Sequence, residues 1–354
     1  MDHSRLEALG WDSWFEEQAL LRCDPAGAVA RVAAVDRDQL LLVDDTGAFR
    51  AKLSGKYMYE AASALELPCV GDWVCVERSQ ADQFGQVHGV LDRKTRLRRK
   101  AAGAAVEYQM IAANVDVVII VQSCHYDFNL KRLERYLVVV KDGGATPYVL
   151  LTKIDLVGPD VLATQLDQIK RAGVTAPVLT LSNVTSEGVD ELKAVLSPGK
   201  TYCFVGSSGV GKSTIINGLV GRDMLETKAV SGTGEGRHTT VRRELIVLES
   251  GAMVVDNPGT RELGMLVAEG GVDASYADIT ALASQCRFGD CAHTNEPGCA
   301  VLKALKTGGI DAEHYENFLK LRKESEHHQM SYAEKRRGDK DFGRFKKSVK
   351  KDLE

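Results

Sequence analysis

A glycine-rich stretch in the second half of the chain constrains the fold more than any other feature. Residues 206–213 fit the pattern G-x-x-x-x-G-K-[ST], after the apolar run 202–205 and, with Thr214 between, before the helix-like run 215–219. A strand, a glycine-rich turn and a helix in this order form a loop whose backbone N–H groups bind polyphosphate. In such a loop Lys212 would reach the β- and γ-phosphates, and Ser213 would hold Mg²⁺. The pattern predicts a nucleotide site at Gly206, Ser207, Ser208, Gly209, Val210, Gly211, Lys212, Ser213 and Thr214.

Length, charge and hydropathy argue against several other classes of protein. The 354 residues allow two or three domains, and a net charge of −4 argues against a globally basic nucleic-acid binder. No run approaches the ~18–20 apolar residues of a membrane span. The first residues lack the basic and apolar blocks of a secretory signal. We therefore expect a cytoplasmic monomer with no membrane contact.

The eight cysteines form two groups. Scattered cysteines in mostly apolar runs are typical of buried thiols in a reducing compartment, not of disulfides, and here they are Cys23, Cys69, Cys75, Cys124 and Cys203. The second group follows the spacing C-x₄-C-x-H-x₅-C, within polar loop sequence. Three thiolates and one imidazole suit a closed tetrahedral site. The predicted ligands of one structural Zn²⁺ per chain are Cys286, Cys291, His293 and Cys299.

The first hundred residues divide into an extension and a small β domain. Residues 1–25 carry Trp11, Trp14 and Phe15, which would suit a short amphipathic helix, but we expect a mobile extension. Residues 26–100 contain short β-like runs separated by turn signals, which predicts an all-β OB-type barrel. Such barrels bind oligonucleotides, although many are only scaffolds. The basic linker that closes this domain, residues 93–100, is either a solvated face or a phosphate contact.

Beyond the linker, strand-like and helix-like runs alternate, which is typical of a parallel α/β sheet. A carboxylate at Asp155, after one buried run, can accept hydrogen bonds from guanine N1–H and the exocyclic amine, which adenine cannot supply. The stem of Lys153 can lie along the base. Backbone N–H groups at the end of the next strand could meet guanine O6. The predicted base-reading residues are Thr152, Lys153, Ile154, Asp155, Ser182 and Asn183.

Residues after the phosphate loop complete the predicted catalytic site. Asp256 would hold Mg²⁺ through water, and the Gly259 N–H would sense the γ-phosphate. The polar segment 236–240 is a candidate switch in which Thr240, by preference, completes the Mg²⁺ shell. His238 in this segment would orient the attacking water, or would only contact backbone or phosphate. Both interpretations stay open.

The order of these motifs is reversed relative to ordinary GTPases, in which the phosphate loop comes first. Ligand groups still meet at the carboxyl ends of parallel strands, so only the cut point of the chain changes. We predict a circularly permuted P-loop GTPase domain over 101–270 and a mostly helical zinc-binding domain over 271–330. A basic tail, 331–354, follows, either solvated or in contact with RNA phosphates.

The chain resembles the RsgA family, the circularly permuted GTPases that depend on the small ribosomal subunit. The resemblance rests on the linker, the phosphate loop, the cysteine cluster, Asn114 to Asp116, Thr152 to Asp155, Gly236 to Thr240 and Asp256 to Gly259. It implies a GTPase that forms GDP and phosphate, binds the 30S subunit and 16S rRNA, and acts in late 30S maturation. The catalytic residues would be Lys212 and His238, with Mg²⁺ accompanying GTP.

Three positions depart from the usual pattern. Thr152 stands where Asn is commoner and loses an amide contact, and Asn183 stands where a small residue is frequent. Thr260 stands where other GTPases commonly place a water-orienting Gln, which predicts slow intrinsic turnover that the subunit stimulates. Two alternatives remain: an RNA-binding module that uses hydrolysis only for release, and an assembly GTPase for another substrate, such as the large subunit or a membrane-delivered protein.

Overall fold

The computed structural model describes residues 3–24, 27–36, 39–78, 84–100, 108–221, 243–256 and 269–329. The chain forms two compact units, Met1–Met265 and Leu266–Glu354.

The first unit begins with two helices, α1 (His3–Ala8) and α2 (Ser13–Arg22). Asp12 caps α2, because its carboxylate accepts the N–H groups of Trp14 and Phe15. Trp11 and Phe15 are buried, with ring centroids 4.7 and 5.9 Å from that of Trp73 in the barrel. The expectation of a mobile extension is therefore wrong. The aromatic partner that orders these helices lies far away in sequence, where local patterns do not reveal it.

A disulfide links Cys23, which follows α2, to Cys75 in the barrel, with Cα atoms 5.3 Å apart. For this pair the expectation of separate thiols is wrong, because docking of α2 brings the two residues together. Cys69, Cys124 and Cys203 are buried free cysteines, as predicted.

Five strands form the barrel: β1 (Ala28–Val35), β2 (Leu40–Asp44), β3 (Gly47–Leu53), β4 (Trp73–Arg78) and β5 (Phe84–Val90). Their order is β1-β2-β3-β5-β4, and β4 pairs back with β1. Strands β3 and β5 are parallel, and the other pairs are antiparallel. A short helix, α3 (Gly55–Glu60), follows β3. The interior is filled by apolar side chains such as Val32, Leu42 and Phe49. The predicted OB-type barrel is confirmed.

The basic linker contains a strand. Strand β6 (Arg96–Lys100) pairs with β7 (Tyr108–Ala113) in an antiparallel ribbon. Leu97 is buried, so one apolar residue anchors the basic run. Arg98 lies 3.2 Å from a carboxylate oxygen of Asp142, and Arg99 donates to Gln109. Part of the positive charge of the linker is therefore engaged in contacts within the protein.

The α/β sheet of the first unit has the order β10-β9-β8-β11-β13-β12. All neighbours are parallel except β12 and β13, which form an antiparallel hairpin. The strands are β8 (Val117–Ser123), β9 (Thr146–Thr152), β10 (Val178–Leu181), β11 (Thr201–Gly206), β12 (Glu244–Val247) and β13 (Met253–Asp256). The helices are α4 (Leu130–Asp142), α5 (Pro159–Arg171), α6 (Val189–Val195) and α7 (Lys212–Val220). Strand β12 also pairs with β1 at Ala34 and Glu244, which joins this sheet to the barrel.

The second unit is helical where the structure describes it. Its helices are α8 (Glu269–Ser275), α9 (Ala277–Ala283), α10 (Ala300–Lys306) and α11 (Ala312–Gln329). Tyr276, Ile279, Phe318 and Leu321 are buried. Within the described ranges of the whole chain, no helix is both long and apolar enough to cross a membrane.

Candidate functional site

The phosphate loop lies at the carboxyl edge of the parallel sheet. Strand β11 ends at Gly206, beside Val121 of β8, and helix α7 begins at Lys212. Gly206, Gly209 and Gly211 have φ angles of 148°, 79° and 101°, a region that favours glycine. A Cβ atom at Gly206 would also overlap the carbonyl oxygen of Val121. The spacing of glycines in the motif therefore follows from backbone shape and from packing against β8.

Lys212 is held inside the loop. Its Nζ atom donates to the carbonyl oxygens of Gly206 and Ser207, at 2.8 and 2.6 Å. Burial lowers the pKa of Lys212, and the negative charge of Asp127 acts in the opposite direction. Ser213 and Thr214, in the first turn of α7, are exposed. This arrangement leaves a cation beside a loop whose backbone can bind phosphate oxygens.

Asp127 is a charged neighbour of this loop that the sequence analysis missed. It lies between β8 and α4, and one of its carboxylate oxygens contacts Arg132 at 2.7 Å. An aspartate in a loop has no distinctive sequence signal. Its proximity to Lys212 becomes visible only when β8 and β11 are aligned in the sheet.

The predicted base-reading residues lie at or just after the ends of β9 and β10. Lys153 has φ 58° and ψ 39°, and Ile154 to Leu156 form a single 3₁₀ turn with Ile154 buried. The Ser182 hydroxyl donates to the Asp155 carboxylate at 2.5 Å, and its oxygen accepts the N–H groups of Val184 and Thr185 at 3.1 Å each. Asp155 is therefore oriented by its neighbour before any ligand is present.

Thr152 connects the base-reading strands to the phosphate loop. The side chain is fully buried, and its hydroxyl lies 2.7 Å from the carbonyl oxygen of Val210 and 3.2 Å from that of Gln122. Thr152 therefore lies beneath the loop and does not face solvent. The Nδ2 atom of Asn183 lies beside Gly211, 2.9 Å from the position that a Cβ atom there would take. Thr152 and Asn183, which are distant in sequence, thus both lie against the phosphate loop, and we call this region the cleft edge.

The structure describes only some of the remaining predicted residues of this site. Asp256 is the last residue of β13, next to β11 in the sheet, at the same edge as the phosphate loop. Thr240, His238, Gly259, Thr260 and the candidate switch 236–240 lie outside the described residues.

In the second unit, the structure brings the four predicted metal ligands together. Their donor atoms all lie within 4.8 Å of one another. The Sγ atoms of Cys286 and Cys299 are 3.8 Å apart, and each lies 3.5 to 3.6 Å from Nδ1 of His293. Tetrahedral Zn²⁺ with Zn–S bonds of about 2.3 Å places two sulfurs about 3.8 Å apart, so the cluster fits such an ion. These residues could hold a metal.

Backbone and side-chain groups around the cluster fix its shape. The N–H of Ala300 points to Cys286 Sγ at 3.3 Å, and that of Leu302 points to Cys299 Sγ at 3.4 Å. The Tyr315 hydroxyl donates to the carbonyl oxygen of His293 at 2.6 Å. Such N–H···S and outer contacts orient ligands in structural metal sites.

Comparison with known proteins identifies the family. A model of the RsgA GTPase family matches residues 90–266. The small ribosomal subunit biogenesis GTPase RsgA 2 of Lactiplantibacillus plantarum is 43% identical over 316 residues, which cover 89% of this chain and 87% of the relative. The chain belongs to the RsgA GTPase family. Another family member, the small ribosomal subunit biogenesis GTPase RsgA 1 of Listeria innocua, is 40% identical over 324 residues, covering 91% of this chain and 90% of the relative.

Solved structures agree with this assignment. The crystal structure of YjeQ from Thermotoga maritima has a TM-score of 0.65 at 26% identity, covering 84% of this chain and 98% of that chain. YloQ, described as a circularly permuted GTPase, has a TM-score of 0.63 at 24% identity, covering 86% of this chain and 97% of its own, and shows the fold alone. The predicted circularly permuted GTPase fold is confirmed. As an RsgA GTPase, the chain is a GTP-hydrolysing enzyme.

Proposed function

We propose that this chain binds and hydrolyses GTP at the cleft edge formed by the phosphate loop and the ends of β9 and β10, and that it acts in biogenesis of the small ribosomal subunit. One observation supports the site above all others. Ser182 donates to Asp155, and Thr152, three residues earlier in the chain, contacts the carbonyl oxygen of Val210 in the phosphate loop. These contacts support a site in which a carboxylate suited to guanine lies beside a loop suited to phosphate. The relatives named above carry the biological role in their names.

In the proposed reaction, water attacks the γ-phosphorus of GTP, the bond to the β–γ bridging oxygen breaks, and GDP and phosphate form. Lys212 would leave the carbonyl oxygens that it contacts and neutralise the developing charge on phosphate oxygens, together with loop N–H groups. Ser213, Asp256 and Thr240 would hold Mg²⁺, which would supply positive charge to offset the negative charge of the phosphates. Catalysis would thus come from positioning and charge.

Water activation is the weak step in this proposal. Thr260 follows Gly259, and its short side chain is a poor substitute for a water-orienting Gln. We therefore propose slow turnover by the chain alone and faster turnover on the small subunit, where His238 orients the water. His238→Ala should then remove subunit-stimulated turnover while leaving nucleotide binding intact. Unchanged stimulated turnover would rule out this role for His238.

We propose that the chain binds 16S rRNA of the 30S subunit through the barrel side of the first unit and the basic tail, 331–354. Arg96 on β6 is exposed, so its charge is accessible to phosphate, whereas Arg93 contacts Asp72 at 2.8 Å. The proposal also includes one structural Zn²⁺ at the cysteine–histidine cluster, a monomeric protein and action in the cytoplasm, where ribosomal subunits are assembled in bacteria.

The proposed function is tested by GTP turnover of the full chain alone, with 30S subunits and with 50S subunits. Lys212→Ala is the matched inactive control. Stimulation by 30S alone supports the proposal, whereas stimulation by 50S alone favours assembly of the large subunit. GTP-dependent 30S binding by a variant without turnover, followed by failure to dissociate, would make hydrolysis a release step of an RNA-binding module.

A further inference from the structure

The side-chain amide of Asn183 lies where the base-reading edge meets the phosphate loop. Asn183 directly follows Ser182, and its Nδ2 atom is close to Gly211. The residue is partly exposed. Within the described part of the chain, no protein group receives a hydrogen bond from this amide. An amide with two N–H donors is therefore accessible to a ligand at this point of the cleft.

Neighbouring side-chain donors are already used. Thr152 has one hydroxyl proton, and its oxygen lies near the carbonyl oxygens of Val210 and Gln122, so this buried side chain has no donor left for a ligand. The Ser182 hydroxyl donates to Asp155.

The chemistry of guanine defines what this edge needs. Asp155 is suited to the donor groups of the base, N1–H and the exocyclic amine. The adjacent edge of the same base carries O6 and N7, which are both acceptors. Backbone N–H groups at the end of β10 are predicted to meet O6, and a threonine at position 152 adds no side-chain amide to this edge, as an asparagine there would.

We propose that Asn183 is a guanine-binding residue whose side-chain amide donates to the O6/N7 edge of the base and replaces the contact that Thr152 does not make. This inference rests on the proposed function, because it assumes a guanine nucleotide in this cleft. It deepens that proposal by assigning a side-chain role to Asn183, at the position where a small residue is frequent.

The first test is GDP affinity of the full chain, measured by calorimetric titration. Asn183→Ala should weaken GDP binding about tenfold, because one hydrogen bond to the ligand is lost. Val184→Ala is the matched control: it changes the next residue of the same loop, which is 81% exposed, and should leave affinity unchanged. An Asn183→Ala affinity within twofold of the unmodified chain would overturn the inference.

The second test asks whether Asn183 replaces an amide at position 152. In a Thr152→Asn background, Asn183→Ala should weaken GDP binding less than about threefold, because the new amide would supply a donor. An equal loss in both backgrounds would contradict the replacement.

The third test locates the contact on the base. The analogue 7-deaza-GDP lacks the N7 acceptor, and 6-thio-GDP has a weaker acceptor at position 6. The Asn183→Ala penalty should disappear with one of these analogues. A full penalty with both would show that the amide does not contact this edge.

These outcomes separate the inference from the proposed function. If the unmodified chain binds no guanine nucleotide, both are overturned. If it binds GDP tightly and Asn183→Ala binds equally well, only the role of Asn183 is wrong.

Discussion

The nucleotide cleft and the cysteine–histidine cluster are organised in opposite ways. In the cleft, protein groups satisfy one another without a ligand: Ser182 donates to Asp155, and Lys212 donates to carbonyl oxygens of its own loop. In the cluster, four metal-ligating atoms lie within 4.8 Å of one another in a polar loop region. Thiolates this close together repel one another unless a cation lies between them. The cleft is therefore formed by the chain itself, whereas we expect the cluster to depend on an added ion.

Removing the ion should produce the largest effect. Cys291→Ala should unfold residues 286–299 and their surroundings, because structural Zn²⁺ supplies about 10 kcal/mol or more of apparent binding free energy. The measurements are zinc content and hydrogen exchange of the second unit, with GDP affinity of the first unit expected to persist. Cys124→Ala, which removes a buried cysteine outside the cluster, is the control and should retain zinc. Unchanged hydrogen-exchange protection of the second unit in metal-free Cys291→Ala would show that this unit does not depend on the ion.

Changing Asp155, the proposed base-reading carboxylate, should have the next largest effect. Asp155→Asn places an amide donor opposite the donors of guanine, so GDP affinity should fall by about 10²–10³-fold. Affinity for xanthosine diphosphate, which carries an oxygen at position 2, should rise. Competition titrations with both nucleotides measure this exchange. Unaltered preference for GDP would show that Asp155 does not read the base.

Reduction of the disulfide should affect stability without affecting the cleft. Reducing Cys23–Cys75 removes a cross-link over a sequence separation of 52 residues. The free energy of unfolding of the first unit should fall by about 2–4 kcal/mol. Denaturant unfolding with and without reductant measures the loss, and Cys23→Ser should be insensitive to reductant. An equal response of Cys23→Ser and the unmodified chain would indicate that the bond does not form in solution.

Removing one hydrogen bond within the cleft should have the smallest effect. Ser182→Ala leaves Asp155 in place but frees its orientation, so GDP affinity should fall about tenfold, and loss of the hydroxyl should not unfold the unit. Ser182→Thr, which keeps a hydroxyl, should recover most of that loss. A thermal melt without nucleotide checks the fold. A loss as large as that of Asp155→Asn would mean that the cleft is not formed in advance.

Motif spacing was sufficient to predict most residues of the two candidate sites. The glycines of the phosphate loop, the carboxylate after β9 and the C-x₄-C-x-H-x₅-C pattern are local signals, because neighbouring residues supply ligand groups directly. The barrel and the parallel sheet followed from the change between short β-like runs and alternating runs.

Motif and periodicity patterns did not predict contacts between segments that are distant in sequence. The rings of Trp11 and Phe15 pack against Trp73, which is far away in the sequence. Cys23 and Cys75 looked like separate thiols for the same reason.

The sequence by itself determined the candidate chemistry of this protein: a phosphate-loop motif, a carboxylate suited to guanine, a permuted motif order and four side chains that could hold a metal. Only the tertiary structure decided how these groups are held, through Thr152 beneath Val210, Ser182 on Asp155 and the amide of Asn183 beside Gly211. The physical reason is the length of chain over which each feature is set. A motif records which donors and acceptors a short segment offers, whereas hydrogen bonds across strands depend on sheet register, which the whole fold sets.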